Sequence, residues 1–215
     1  MIRLRPRKRA AEVIMRLEPL YGDLTTGLNF QSPFELLVAT ILSAQCTDER
    51  VNIVTPTLFA RFPRAEDYVA SDREEIESII HSCGFYRNKA KSIQTAAAVI
   101  IGQFGGKVPD TMQALTTLPG VARKTANVVL WHAFGRNEGI AVDTHVQRLS
   151  RRLGLTKQQD PAKIEVELMA VVPSDTWGRL SDLLIWHGRR VCLARNPRCS
   201  ACVLADICPS AGIGS

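Results

Sequence analysis

The chain has 215 residues, with 27 Lys and Arg against 21 Asp and Glu for a net charge of +6, and 46% of it is hydrophobic. That length allows one or two domains with a core that needs no disulfides, and no apolar run reaches the roughly 18 residues of a membrane span or forms a signal-peptide core. The expectation is a cytoplasmic protein without membrane contact, whose basic excess favours a polyanionic partner.

Residues 1–9 carry Arg3, Arg5, Arg7, Lys8 and Arg9 with no acid. They read as a basic arm, or as the solvated start of a helix that continues through Val13, Ile14 and Leu17. Ser32-Pro33-Phe34-Glu35 predicts a helix start, with Ser as N-cap, Pro at the first position and Glu closing a capping box. Leu36, Leu37, Thr40, Ile41 and Ala44 give that helix a wide apolar face as far as about Cys46, and its end presents Ser43, Gln45 and Thr47. Asp48 opens another helix, which Pro56 is expected to interrupt or kink. Ser71-Asp72-Arg73-Glu74 repeats the capping-box pattern before a helix that Gly84 closes after Cys83. Ala90, Ile93, Ala97, Ile100 and Ile101 recur at helical spacing between Tyr86 and Phe104, and Gly105-Gly106 ends that segment.

Thr111 reads as the N-cap of a short helix to about Thr116, which Pro119 and Gly120 stop. A second helix runs from Arg123 to about Phe134, with Ala126, Val129, Leu130 and Ala133 on one face and Gly135 as its stop. A hairpin whose turn exposes backbone N–H groups beside a helix N-terminus suits a phosphate, because donors and dipole both favour an anion. Beyond it, Asp143 to Leu153 reads as a basic helix closed by Gly154, Asp160-Pro161 starts another that Pro173 ends, and Ser174 caps a last one to about Arg190. The fold class is therefore all-α. With no repeat and no low-complexity linker, any division into domains has to come from packing.

Cys192, Cys199, Cys202 and Cys208 are spaced C-x6-C-x2-C-x5-C. Four thiolates this close in sequence can enclose one metal centre, and their spacing leaves zinc and iron–sulfur both open. Disulfides are disfavoured by the cytoplasmic reading. Cys46 and Cys83 read as buried apolar thiols. Arg189, Arg190, Arg195 and Arg198 flank the four cysteines, and part of that charge is available to a phosphate backbone.

The stretch LPGVARKTANVV followed by AVDTHVQRL, together with the four-cysteine spacing, resembles the endonuclease III branch of the helix-hairpin-helix DNA glycosylases, and the resemblance runs from about residue 7 to 209. It implies a six-helix barrel over residues 26–136, a cluster domain of residues 1–25 plus 137–215, and damaged double-stranded DNA bound by a monomer in the cleft between two lobes. It implies one four-iron, four-sulfur cluster on Cys192, Cys199, Cys202 and Cys208, and, for a bacterial protein, association with the nucleoid. The activity implied is base-excision repair: removal of oxidised pyrimidines, then strand scission as an AP lyase.

By this resemblance Lys124 attacks C1′ of the damaged nucleotide and forms an imine that permits β-elimination, while Asp143 assists proton transfer and stabilises positive charge on the sugar. A lysine amine is a nucleophile only when neutral, so a buried position or the positive end of a helix is called for, and Lys124 opens its helix. Gly120, Val121 and Ala122 supply the phosphate seat. Reaching C1′ requires flipping the nucleotide, and Gln45 and Phe85 match positions that fill the gap it leaves. Arg195 and Arg198 lie in the loop that contacts DNA. Three positions depart from the family pattern: Ala122 where the hairpin usually has Gly, Phe85 where an aliphatic residue is common, and Asn196 where a further cation is common. The rival readings are an adenine-mismatch glycosylase, which usually lacks the lysine and carries an additional C-terminal domain, and a DNA-binding module without catalysis.

Overall fold

The computed structural model describes residues 4–212, so Arg3 lies outside the described residues. Among the described residues all regular structure is helical, and no helix is long and apolar enough to cross a membrane. The chain packs as two units, residues 26–136 and the remainder on either side of them.

Within residues 26–136 the centre is α2 (Pro33–Leu42), buried at every position from Leu36 to Leu42. A helix apolar on all faces has to be wrapped, and α3 (Asp48–Arg61), α6 (Tyr86–Phe104) and α8 (Arg123–Phe134) pack against it. Each Leu or Ile buried there contributes about 1.5–3 kcal/mol. Further out, α4 (Ala65–Ala70) and α5 (Arg73–Ile80) cover α6, and α7 (Met112–Leu115) packs on α8.

Several element ends differ from expectation, each for a local reason. Ser32 caps α2 by accepting the Glu35 N–H at 3.2 Å, but Glu35 accepts from the N–H of Gln31 at 2.6 Å instead of closing the box on Ser32. The helix then stops at Leu42, short of Cys46, because Thr47 accepts the Arg50 N–H at 3.2 Å and caps α3, leaving residues 43–46 as a turn. Pro56 does not interrupt α3, where Val51, Val54, Thr55 and Leu58 are buried around it and hold the helix despite one missing donor. Ser71 donates back to the Tyr68 carbonyl at 2.9 Å, finishing α4 instead of capping α5.

The other unit contains α1 (Pro6–Tyr21), α9 (Thr144–Arg152), α10 (Pro161–Val171) and α11 (Trp177–Arg190). Both α10 and α11 pack against α1 and α9. Val13, Leu17, Val146, Leu149, Leu168, Leu180 and Leu184 form its core, and Leu204 and Ile207 carry the cysteine segment into the same core. Ser174 opens a 3-10 turn, Ser174–Thr176, and does not cap α11. Arg9, read as solvated, is buried: its guanidinium donates to the carbonyls of Leu153 and Gly154 at 3.1 Å each and of Leu4 at 2.9 Å. Two of those acceptors lie at the C-terminal end of α9, where the helix dipole favours a cation.

Candidate functional site

The hairpin is assembled from its core contacts outward. Leu115, Leu118 and Val121 are buried in the core of residues 26–136, while Ala122, Arg123 and Lys124 are exposed. The Val121 N–H donates to the Leu118 carbonyl at 3.1 Å and closes a turn with Pro119 at its second position and Gly120, at φ +81°, at its third. A Cβ at Gly120 would also lie 2.9 Å from Cβ of Ser92 on α6, so conformation and space both exclude a side chain there. The Val121 amide is engaged within the turn, and the N–H groups of Gly120 and Ala122 are the ones with no acceptor among the described residues, next to the N-terminal end of α8.

Ala122, which stands where the family usually has Gly, does not take helical angles. It is the N-cap of α8, at φ −83° and ψ 168°, with no side-chain cap bond. At an N-cap Gly is preferred to Ala, whereas Ala restricts the unfolded chain by roughly 0.4–1 kcal/mol, so the two effects oppose each other. Ala122→Gly is therefore expected to change thermal stability by less than about 1 kcal/mol in either direction, and duplex affinity by less than about tenfold. Calorimetry and a binding titration check this; a gain well beyond tenfold with turnover rising in step shows that the methyl group obstructs the hairpin.

Lys124 occupies the second position of α8 and is exposed, so it is not buried. Its amine is open to a substrate at the positive end of the helix dipole. Asp143 is the N-cap of α9: its Oδ1 accepts the Val146 N–H at 2.8 Å, and the residue is half-buried. That bond orients the carboxylate and leaves Oδ2 with no donor among the described residues.

The four cysteines line one cavity of about 340 Å³, with Arg195 and Arg198 also at its wall. All six cysteines of the chain are free. Burial pushes the Cys202 and Cys208 thiols up, yet N–H donors are aimed at the sulfurs. The Leu204 amide and Arg152 Nη1 donate to Cys202 and Cys192 Sγ respectively, each at 3.4 Å. His187 Nε2 lies 3.3 Å from Cys202 Sγ and Nδ1 lies 3.2 Å from the Tyr21 hydroxyl. Burial pushes the His187 pKa down to about 4, so the ring is neutral near pH 7. In the tautomer in which Tyr21 donates to Nδ1, the one ring proton sits on Nε2 and faces sulfur. Such donors suit thiolates, the form that binds metal. A zinc ion would draw the sulfurs to about 2.3 Å from one centre, so thiols spread around a cavity of this size fit a polynuclear cluster better.

Sequence reasoning overlooked what holds this segment. Arg148 donates to the carbonyls of Gly188 and Cys192 at 3.0 Å each, and Arg152 donates to those of Leu193 at 2.6 Å and Ala194 at 2.9 Å. Their i, i+4 spacing on α9 was the available signal, but one basic face looks like another until its acceptors are known. All four flanking arginines are exposed, and Arg189 and Arg190 lie 5.2 Å and 5.1 Å from the Trp186 ring centroid.

Gln45 and Phe85 are also exposed, Phe85 by 64%. Among the described residues the non-glycine positions in the left-handed backbone region are Gln45 (φ 53°), Phe85 (φ 46°) and Asn196 (φ 52°). Such positions cost energy and persist only where the surroundings impose them.

Residues 38–174 match the HhH-GPD superfamily of base excision DNA repair proteins, and residues 192–208 match the iron–sulfur binding domain of endonuclease III. The chain is 58% identical over 205 residues to endonuclease III of Synechocystis, covering 95% of this chain and 94% of that protein. It is 51% identical over 194 residues to endonuclease III of Bacillus subtilis, covering 90% and 88%. A solved structure of a non-covalent endonuclease III–DNA complex superposes with a TM-score of 0.90 at 40% identity, covering 98% of this chain and 97% of that one. A trapped endonuclease III–DNA covalent intermediate also superposes with a TM-score of 0.90 at 40% identity, covering 98% of each chain.

Proposed function

This chain belongs to the endonuclease III family of base-excision repair glycosylases, and from that premise we propose that it removes oxidised pyrimidines from duplex DNA, with Lys124 as nucleophile and Asp143 as its proton-handling partner. The observation that carries the reading is the hairpin: an exposed lysine in the first turn of a helix that follows a turn with two available amides. The amides of Gly120 and Ala122 hold a phosphate and thereby set the distance from the amine to the sugar of a nearby nucleotide.

The Lys124 Nζ lone pair forms a bond to C1′ as the C1′–N bond breaks, and the base leaves with that electron pair and takes up a proton. The nitrogen then loses one proton, its lone pair forms the C1′=N bond as C1′–O4′ breaks, and O4′ keeps that electron pair and takes up a proton, giving the protonated imine. Removal of a C2′ proton then expels the 3′ phosphate by β-elimination. The carboxylate of Asp143, held by its cap bond, offsets positive charge developing on the sugar and assists proton transfer. Gln45 and Phe85 fill the gap left by the flipped nucleotide.

The chain's cofactor is a four-iron, four-sulfur cluster, which Cys192, Cys199, Cys202 and Cys208 would hold. When bound it cross-links the terminal segment and contributes folding energy. Residues 26–136 serve as the hairpin domain and the remainder as the cluster domain, and the enzyme works as a monomer in the cytoplasm, at the nucleoid in a bacterium. A panel of duplexes carrying single defined lesions tests the substrate class. Excision confined to oxidised pyrimidines is expected, and excision of adenine opposite a mismatch in their place refutes the reading.

Arg195 and Arg198 face phosphates. Arg195→Ala and Arg198→Ala are expected to weaken damaged and undamaged duplexes alike and to make the salt slope shallower by about one unit per lost contact. Unchanged slopes in binding titrations over a salt series remove these arginines from the interface.

A further inference from the structure

Lys89 is 6% exposed, which is unusual for a lysine, and the reaction as described above does not use it. Its ammonium donates to the carbonyl of Leu42 at 2.8 Å and to that of Cys83 at 2.6 Å. Leu42 is the last residue of α2, and Gln45 follows three residues later at φ 53°. Cys83 ends the 3-10 turn after α5, and Phe85 follows two residues later at φ 46°. A single cation therefore joins the C-terminal ends of two helical segments, each of which is followed within three residues by a non-glycine residue held in the left-handed region. Carbonyls at helix ends lack intrahelical donors, and the helix dipole favours a cation beside them. The thiols of Cys46 and Cys83, one on each segment, lie close enough for Cys46 to add to the upward shift that burial gives Cys83. Burial pushes the Lys89 pKa down, and the two neighbouring thiols oppose that shift.

We propose that Lys89 is a positioning residue that clasps the two segments carrying Gln45 and Phe85 and so holds both side chains ready to enter the duplex together. The proposal rests on the reading of Gln45 and Phe85 as gap-filling residues. Without the clasp each segment relaxes toward ordinary backbone angles, and the ordering cost then falls at the moment of base extrusion. The effect is confined to substrates in which a gap has to be filled.

The test compares the cluster-loaded enzyme on two substrates: a duplex with one oxidised pyrimidine, and a single-stranded oligonucleotide with one abasic site, which has no stack to fill. Lys89→Met, which keeps the chain length and removes the donors, is expected to lower the duplex-to-single-strand ratio of kcat/KM by about tenfold or more. General destabilisation lowers both rates and leaves that ratio unchanged. If Lys89→Met does not fold, Lys89→Gln, with two N–H donors on a shorter stem, is expected to lower the ratio at least about threefold. A wild-type ratio in either folded variant overturns the proposal. Gln45→Ala and Phe85→Ala go through the same assay: a lowered ratio there with an unchanged one at Lys89 refutes the clasp alone, and unchanged ratios in all of them refute the gap-filling reading beneath it.

Discussion

Lys124→Ala is expected to eliminate the adduct that borohydride traps during the reaction and to lower base release by about a thousandfold or more, roughly 4 kcal/mol of barrier. The substitution is structurally mild. Position 124 is exposed in the first turn of α8, where Ala is the best helix former, so the melting temperature is expected to hold. Gly120 and Ala122 keep their backbone amides, so affinity for duplex falls by no more than one lost cation accounts for. Lys124→Arg separates charge from nucleophilicity, because a guanidinium keeps the cation but has no lone pair available near pH 7. It is expected to bind DNA about as well as wild type and to form no adduct. A full yield of adduct from Lys124→Ala would falsify the assignment and move the nucleophile to another amine.

Asp143→Asn is expected to cost turnover about a hundredfold to a thousandfold while binding to a lesion-bearing duplex is largely kept. The choice of Asn follows from the structure. Asp143 caps α9 through one oxygen, and Asn is an equally good N-cap, so its amide oxygen can accept the Val146 N–H and the helix start survives. What is lost is the negative charge. Asp143→Ala removes the cap as well and is expected to lower stability by about 1 kcal/mol beyond the Asn variant. Single-turnover kinetics with calorimetry on both variants separates the two roles. Wild-type turnover in Asp143→Asn removes the carboxylate from the mechanism and leaves it a helix cap.

The elements most legible in the sequence were those whose ends are written in residue chemistry. Tyr86–Phe104 and Arg123–Phe134 begin and end where expected, because each is bounded by a turn and by a glycine at its C-terminal end. Thr111 caps the helix that follows as expected, and Asp143 and Asp160, expected to open theirs, do so with a side-chain oxygen. Ser71 and Ser174 failed for the opposite reason. A serine hydroxyl can serve the helix before it or the one after it, and neighbouring packing decides which.

By itself, then, the sequence determined the all-helical class, the hairpin with Lys124 after its turn, the cap at Asp143 and the four-cysteine spacing, since each depends on residues within a few positions of one another. Tertiary structure decided the rest. It placed Arg148, Arg152 and His187 against the cysteine segment, buried Arg9 at the end of α9, and set Lys89 between two helix ends 41 residues apart in the chain (83 − 42). These are cations and an imidazole whose partners are mostly backbone carbonyls and sulfurs far along the chain. A carbonyl is present at every residue, so no sequence pattern marks which one a buried donor will find until packing has brought it there.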